Sequence, residues 1–374
     1  MKKAKTITTD LLASANITIN GTQLQDITIH NENLYNRVLR DGDLGLGESY
    51  MAGWWDANEL DEFFAHIFEA DLLNAGNITP NLVAAVVSAK LFNQQKKQTA
   101  KADVSHHYDI GNDLYAAMLD KRMIYTCAYW KDAKTLEQAQ EAKLDLICRK
   151  LQLKKGMTLL DIGCGWGGFA KYAAEKYGVK VTGITPAGEQ VKLAKKNTKG
   201  LDVEILQLDY RDITGQFDRI VSIGMLEHVG GKNYNDFFKV CNNVLAPGGM
   251  MLHHTIGGTV KYNPGSARWM RKYIFPGTYI PTLGELADAS TRSAFVVEDV
   301  HNLGPDYDKT LMEWYKRFDA NYAKLDHTIY DEEFYRMWKY YLLVCAALFR
   351  THGLQLWQVV FRRAERGDAY EAVR

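Results

Sequence analysis

The chain has no net charge, no paired cysteines and no apolar run long enough to cross a bilayer. Lys and Arg match Asp and Glu at 45 each over 374 residues. No overall field draws in nucleic acid or turns away an anionic surface, so charged partners must be met by local patches. The 5 cysteines are scattered, with no Cys-x-x-Cys pair and no His–Cys spacing suited to zinc. An odd number at irregular positions fits reduced thiols in a cytoplasm. Met1-Lys2-Lys3-Ala4-Lys5 resembles the start of an export signal, but Asp10 and several Thr and Asn interrupt what should be its apolar core. The most apolar stretch, Leu82 to Phe92, is broken by Ser88 and Lys90 and is too short to span. These absences point to a cytoplasmic protein that at most rests on the surface of a membrane. Internal repeats and low-complexity tracts are also missing.

What is present falls into two parts. Residues 1–95 read as a small α+β domain. Its Ile17-Thr18-Ile19 and Ile27-Thr28-Ile29 alternate as short strands around Asn20-Gly21, and helical stretches cover Leu60 to Leu73 and Thr79 to Phe92. The polar run Asn93 to Ala102 places a linker at 96–103. Its lysines could also touch anionic head groups. Residues 104–374 form the larger domain. From Met157 onward strands alternate with helices: Thr158–Ile162, Lys180–Ile184, Glu204–Leu208, Arg219–Ile223 and Met250–His254 against Phe169–Lys176, Glu189–Asn197 and Tyr234–Leu245. Such alternation implies a mostly parallel sheet covered on both faces. Val296–Val300 and Leu356–Phe361 supply two later strands, and the helices Leu311–Leu325 and Glu333–Phe349 lie between them. An aromatic stripe on the second helix suits either core packing or a lipid tunnel. Residues 258–290, with three prolines, read as an insertion over the sheet's active edge.

The densest signal is Asp161-Ile162-Gly163-Cys164-Gly165-Trp166-Gly167-Gly168, a glycine loop directly after the first strand of that pattern. Ligands in such sheets lie at the carboxyl ends of strands, where glycines let the backbone turn and approach closely. Gly163, Gly165 and Gly168 also satisfy a dinucleotide pattern, G-x-G-x-x-G. Asp161 favours S-adenosylmethionine instead: a carboxylate there accepts from an ammonium or offsets a sulfonium, whereas it repels a pyrophosphate. Asp209 and Tyr210, after the third strand, suit a wall for adenine. The second strand ends in Ile184-Thr185 without the acid that commonly holds ribose hydroxyls, and Thr185 and Gln190 are the nearest polar substitutes.

The chain resembles the cyclopropane fatty acid synthases over nearly its whole length. The likeness runs through Leu44-Gly45-Leu46-Gly47-Glu48-Ser49-Tyr50-Met51, His107 to Leu114, Tyr125-Thr126-Cys127-Ala128-Tyr129-Trp130, the glycine loop, Glu227-His228-Val229-Gly230, His254-Thr255-Ile256-Gly257, Lys272 to Pro276 and Asp306-Tyr307-Asp308. It implies a class I S-adenosylmethionine-dependent methyltransferase fold, Rossmann-like, with a mostly parallel seven-stranded sheet behind a small N-terminal α+β domain. It also implies methylene transfer to the cis double bond of a phospholipid acyl chain.

An isolated alkene needs alignment with the S-methyl bond in a dry pocket, and then a weak base to take a proton from the added methyl so that the ring closes. In the family a bound bicarbonate serves as that base. The resemblance assigns its holders to Glu227, His254 and Tyr307 with the backbone amides of Cys127 and Ile256. It assigns the methyl donor to Tyr125, Thr126, Asp161, Gly163, Gly165, Thr185, Gln190, Asp209 and Tyr210. Tyr129, Trp130, Tyr273 and Phe275 are candidates for steadying a carbocation. Alternation along a strand sends only one of His253 and His254 towards the site, and the family pattern selects His254. His106, His107 and Asp109 lack a third metal ligand, and His107 with Tyr108 is expected to shape the cofactor cover. The implied partner is a bilayer surface, met peripherally on its inner face, with a homodimer also possible. Trp54-Trp55 and Phe63-Phe64 suit docking, dimer contact or simply the small domain's core. Rival readings are a methyltransferase leaving a branched or hydroxylated lipid or a methylated small molecule, an NAD-dependent oxidoreductase, and a silent lipid-binding protein.

Overall fold

The computed structural model describes residues 2–72, 111–259, 267–365 and 369–374. The helix expected at Thr79–Phe92, the linker at 96–103, and His106, His107, Tyr108 and Asp109 lie outside the described residues. The chain divides into two compact units that interleave along the sequence.

The first unit holds the described residues 2–72, 267–276 and 307–354. Strands β1 (Ile27–Ile29) and β2 (Trp55–Ala57) pair antiparallel, Ile29 opposite Trp55. The strand expected at Ile17–Ile19 does not form. Ile19 makes one isolated parallel bridge to Ile27, because Asn16 and Asn20 adopt left-handed φ values of 56° and 59° and bend the chain on either side. The glycine-punctuated motif is a helix, Asp43–Met51, despite the cost of glycine in a helix interior. Its glycines permit close approach: a Cβ on Gly47 would lie 2.3 Å from Trp269 Cδ1, and one on Gly45 2.6 Å from the Arg37 carbonyl oxygen.

Aromatic packing explains why distant segments join this unit. Ring centroids run from Tyr50 to Trp55 at 5.1 Å, Trp55 to Phe63 at 5.0 Å, Phe64 to Tyr340 at 5.1 Å and Tyr340 to Trp269 at 4.4 Å. Trp55, Phe63 and Phe64 are therefore core residues, each at most 2% exposed, and offer no docking surface. Arg336 on the helix Glu332–Arg350 stacks 4.1 Å over Tyr50 and donates to its carbonyl at 2.6 Å. Arg350 binds Asp61, Glu62 and Asp308 together. A cut near residue 95 would separate 267–276 and 307–354 from the core they complete. Residues 267–276, part of the stretch 258–290, form the helix Arg268–Tyr273 within this unit.

The second unit holds the described residues 111–259, 277–306, 355–365 and 369–374. Its seven-stranded sheet comprises β3 (Thr158–Ile162), β4 (Lys180–Thr185), β5 (Val203–Gln207), β6 (Phe217–Ile223), β7 (Leu245–Gly258), β8 (Phe295–Asn302) and β9 (Leu354–Arg363). The spatial order is β5-β4-β3-β6-β7-β9-β8. The pairs β5–β4, β4–β3, β3–β6 and β6–β7 are parallel, and β8 runs antiparallel to β9. Every strand anticipated for this sheet is present, within a few residues except β7, which is extended at both ends.

Alternate side chains feed two cores, one on each face. Leu160, Ile162, Ile220 and Met251 enter one with Phe237 and Phe238. Leu159, Val221, Met250 and Leu252 enter the other with Leu144, Ile147 and Phe169. The second core is covered by the helix Leu136–Lys150, which sequence reasoning left unassigned although Thr135 caps it by accepting from the Gln138 amide at 3.3 Å. Strand parity then places Asp161 and His254 on this helix-covered face and His253 on the other.

Candidate active site

A cleft opens at the carboxyl ends of β3, β4, β5 and β6, at the point where strand order reverses about β3. Tyr125, Thr126, Asp161, Gly163, Gly165, Thr185, Gln190, Asp209 and Tyr210 all line it. Gly163, Gly165 and Gly167 have φ values of 84°, 54° and 80°, so the loop needs glycine for its conformation alone. A Cβ at Gly165 would meet nothing within 4 Å, leaving open space against the backbone.

Asp161 is 1% exposed, and its Oδ2 has no hydrogen-bond partner among the described residues. Burial pushes its carboxyl up to about 7, with Lys143 opposing the rise. An orphaned acceptor beside a glycine cradle fits a ligand that brings its own positive donor. At the second strand's end Thr185 donates to Gln190 Oε1 at 2.8 Å, both side chains buried, so the pair fills the place of the missing acid. Asp209 accepts from the Arg211 amide at 3.0 Å and pairs with Arg211 Nη1 at 3.2 Å, and that guanidinium lies 4.8 Å over the Tyr210 ring. The wall expected to meet adenine is thus a salt-bridged, stacked group rather than a bare carboxylate.

Behind the cleft lies a second polar corner. Gly224, with φ 66°, turns the chain out of β6, and its amide donates to the His254 carbonyl at 2.8 Å. The next turn, Leu226–His228, buries Glu227. Glu227 Oε1 accepts from the Ile256 amide at 2.6 Å, while Oε2 has no partner among the described residues. Burial raises this carboxyl to about 7. The Ile256 amide, expected to face an anion, is therefore committed to Glu227.

His254 is 1% exposed and held neutral, burial pushing its pKa well below the usual imidazole range with Lys143 and Lys150 adding to the fall. Its Nδ1 lies 3.3 Å from Gln358 Nε2 of β9, and its Nε2 has no partner among the described residues. His253 points into aromatic packing, 5.3 Å from Phe237, 5.4 Å from Phe238 and 5.5 Å from Phe361. His228 lines the cleft, with burial lowering its pKa to about 4.

The remaining candidates are placed as follows. The Cys127 thiol is fully buried and faces backbone carbonyls, Ala128 at 3.2 Å and Leu303 at 3.7 Å, which suits packing and not nucleophilic attack. Tyr129 packs on His301 at 5.8 Å. The Trp130 amide donates to Asp306 at 3.2 Å. Tyr307 belongs to the first unit, its ring 4.5 Å from Phe349. Tyr273 and Phe275 also belong to that unit, Tyr273 donating to Glu48 at 2.9 Å and Phe275 packing on Tyr341 at 5.5 Å.

Sequence reasoning missed Lys143, Gln358 and Arg211. Lys143 and Gln140 are polar residues three apart on the otherwise apolar face of Leu136, Ala139, Leu144 and Ile147, and that interruption was the available signal. Among the described residues no group of His, Cys, Asp and Glu could hold a metal. No described helix is long and apolar enough to cross a membrane.

The family model described as "Mycolic acid cyclopropane synthetase" matches residues 95–359. The cyclopropane-fatty-acyl-phospholipid synthase of Escherichia coli (strain K12) is 50% identical over 357 residues, covering 96% of this chain and 93% of its own. The tuberculostearic acid methyltransferase of Mycobacterium tuberculosis is 32% identical over 87% of this chain and 80% of its own. The crystal structure of the mycolic acid cyclopropane synthase CmaA1 complexed with SAH and CTAB superposes with a TM-score of 0.66 at 34% identity. It covers 70% of this chain and 97% of that one.

Proposed function

The chain belongs to the mycolic acid cyclopropane synthetase family, and from that premise we propose that it methylenates the cis double bond of a phospholipid acyl chain. The methyl donor is S-adenosylmethionine and the product is a cyclopropane. The observation that carries this reading is two buried atoms without a partner among the described residues, Glu227 Oε2 and His254 Nε2, on segments at the carboxyl edge of the sheet that holds the cleft.

With the imidazole held neutral and the carboxyl raised to about 7, both groups can share a hydrogen with a bound partner near neutral pH. Such groups suit an anion that both donates and accepts, and bicarbonate is one. Its hydroxyl matches Glu227 Oε2, and one of its oxygens matches the Nε2–H of His254. The Ile256 amide supports this arrangement through Glu227, whose Oε1 it fixes. Bound there, bicarbonate supplies a weak base for the proton that leaves the added methyl. Asp161 is matched to the donor's ammonium, and the loop glycines leave the backbone open to it. The acyl chain requires contact with a bilayer surface, which the protein meets peripherally.

The test uses purified protein with vesicles of cis-monounsaturated phosphatidylethanolamine. Turnover falls in carbonate-free buffer and returns on adding bicarbonate. Equal turnover in both buffers contradicts the anion's role.

A further inference from the structure

We propose that Lys143 is a positioning residue for the amino-acid end of the methyl donor, acting by fixing the Thr126 hydroxyl as a donor into the cleft. This inference rests on reading the cleft as the donor site. Lys143 is 0% exposed on the helix Leu136–Lys150, and its Nζ donates to Thr126 Oγ1 at 2.9 Å. One helical turn earlier Gln140, also 0% exposed, donates to the Thr126 carbonyl at 2.9 Å. Two buried side chains of one helix thus hold a single cleft residue by its hydroxyl and its backbone.

An ammonium has three donors and no acceptor. Thr126 Oγ1 must therefore accept from Lys143, and its own hydrogen is directed elsewhere. Thr126 lines the cleft, so that hydrogen is a fixed donor to a ligand. The charge pattern says which part of the ligand. Among the described residues two cations line the cleft, and Arg211 is paired with Asp209 at the β5 end. Lys143 stands at the other end, on the same face of the sheet as Asp161, whose Oδ2 has no partner among the described residues. A zwitterion with an ammonium and a carboxylate matches that end: Asp161 receives the ammonium, and Thr126 backed by Lys143 receives the carboxylate. The nearby carboxyls of Asp120 and Asp161 offset part of the desolvation cost of burying Lys143, and its hydrogen bond goes to the cleft's Thr126.

The experiment compares two ligands by calorimetry. S-adenosylhomocysteine carries the amino-acid group; 5′-methylthioadenosine keeps the nucleoside and sulfur but lacks it. Lys143→Met should weaken S-adenosylhomocysteine at least about tenfold while methylthioadenosine changes by less than about twofold. Thr126→Val should give the same selective loss, and the double variant should lose little more than the larger single one. Equal weakening of both ligands, unchanged binding of S-adenosylhomocysteine, or additive losses overturn the proposal. Should Lys143→Met fail to fold, Lys143→Gln carries the same comparison, since methylthioadenosine binding itself reports an intact cleft. If the unaltered protein binds neither ligand, the reading of the cleft as a donor site fails instead.

Discussion

The donor cleft and the Glu227–His254 corner share one sheet edge, yet they are built in opposite ways. The cleft is made of backbone: left-handed glycines, a strand-end carboxylate and open space. The corner is made of side chains sunk into the protein, each with one atom tied down and one left over. Ile256 fixes Glu227 and leaves Oε2; Gln358 meets Nδ1 of His254 and leaves Nε2. A backbone site tolerates many ligands with one shared group, whereas paired orphan atoms select one small partner. On the proposed function the first holds the methyl donor and the second selects the reaction.

The sharpest break in that contrast is at Glu227. Glu227→Ala should lower kcat by about 10²–10⁴ while S-adenosylhomocysteine affinity stays within about threefold, checked by turnover on vesicles and calorimetry. Loss of donor affinity would move Glu227 into the cleft. The pH profile tests the same group. With the carboxyl raised to about 7, an ionised Glu227 that accepts from a hydroxyl is lost as pH falls through about 7, so kcat should fall there. An acid limb near the ordinary glutamate value would contradict the role.

Asp161 gives the converse. Asp161→Asn removes a charge-assisted bond worth about 1.5–3 kcal/mol, so donor affinity should fall about 10- to 100-fold by calorimetry. Its linkage to stability has a definite sign. The folded carboxyl, at about 7, binds its proton more tightly than the unfolded one. Its contribution therefore favours folding at low pH and is lost as pH rises from about 4 to about 7. The Asn variant should show a flatter pH dependence of denaturant midpoint across that window.

A smaller effect is expected at Gln358. Gln358→Leu leaves His254 without its Nδ1 neighbour, and kcat should fall about five- to tenfold with unchanged donor affinity. The smallest catalytic effect belongs to the first unit. Gly47→Ala drives a methyl into Trp269 and should destabilise by about 1–3 kcal/mol, read as a lower denaturant midpoint, with the donor cleft's affinity for S-adenosylhomocysteine unchanged.

The contrast between the two sites also explains what could be read in the sequence. Glycines at 163, 165 and 167 are punctuation visible in one dimension, and strands β3 to β9 alternate apolar residues strongly enough to be placed. The corner is assembled by tertiary contact: residues 227, 254, 256 and 358 meet only when β6, β7 and β9 align. No spacing rule signals that, and resemblance to a family supplied Glu227 and His254 but not Gln358. The same resemblance set the Ile256 amide towards an anion, where its contact with Glu227 takes it up. In the first unit, Trp55, Phe63 and Phe64 carried two readings because an aromatic pair has the same pattern in a core and on a docking face. Trp269 and Tyr340, brought from far along the chain, decide for the core together with nearby Tyr50.

The account stands or falls on the product formed at the double bond. Lipids extracted from an expression host with and without the protein should be compared by mass spectrometry and proton resonance. With the protein present, phospholipids should be heavier by one CH2, with olefinic proton signals lost and cyclopropane ones gained. A CH2 gain that leaves a methyl branch, or no change in the lipids when the protein is present and binds its donor, would contradict it.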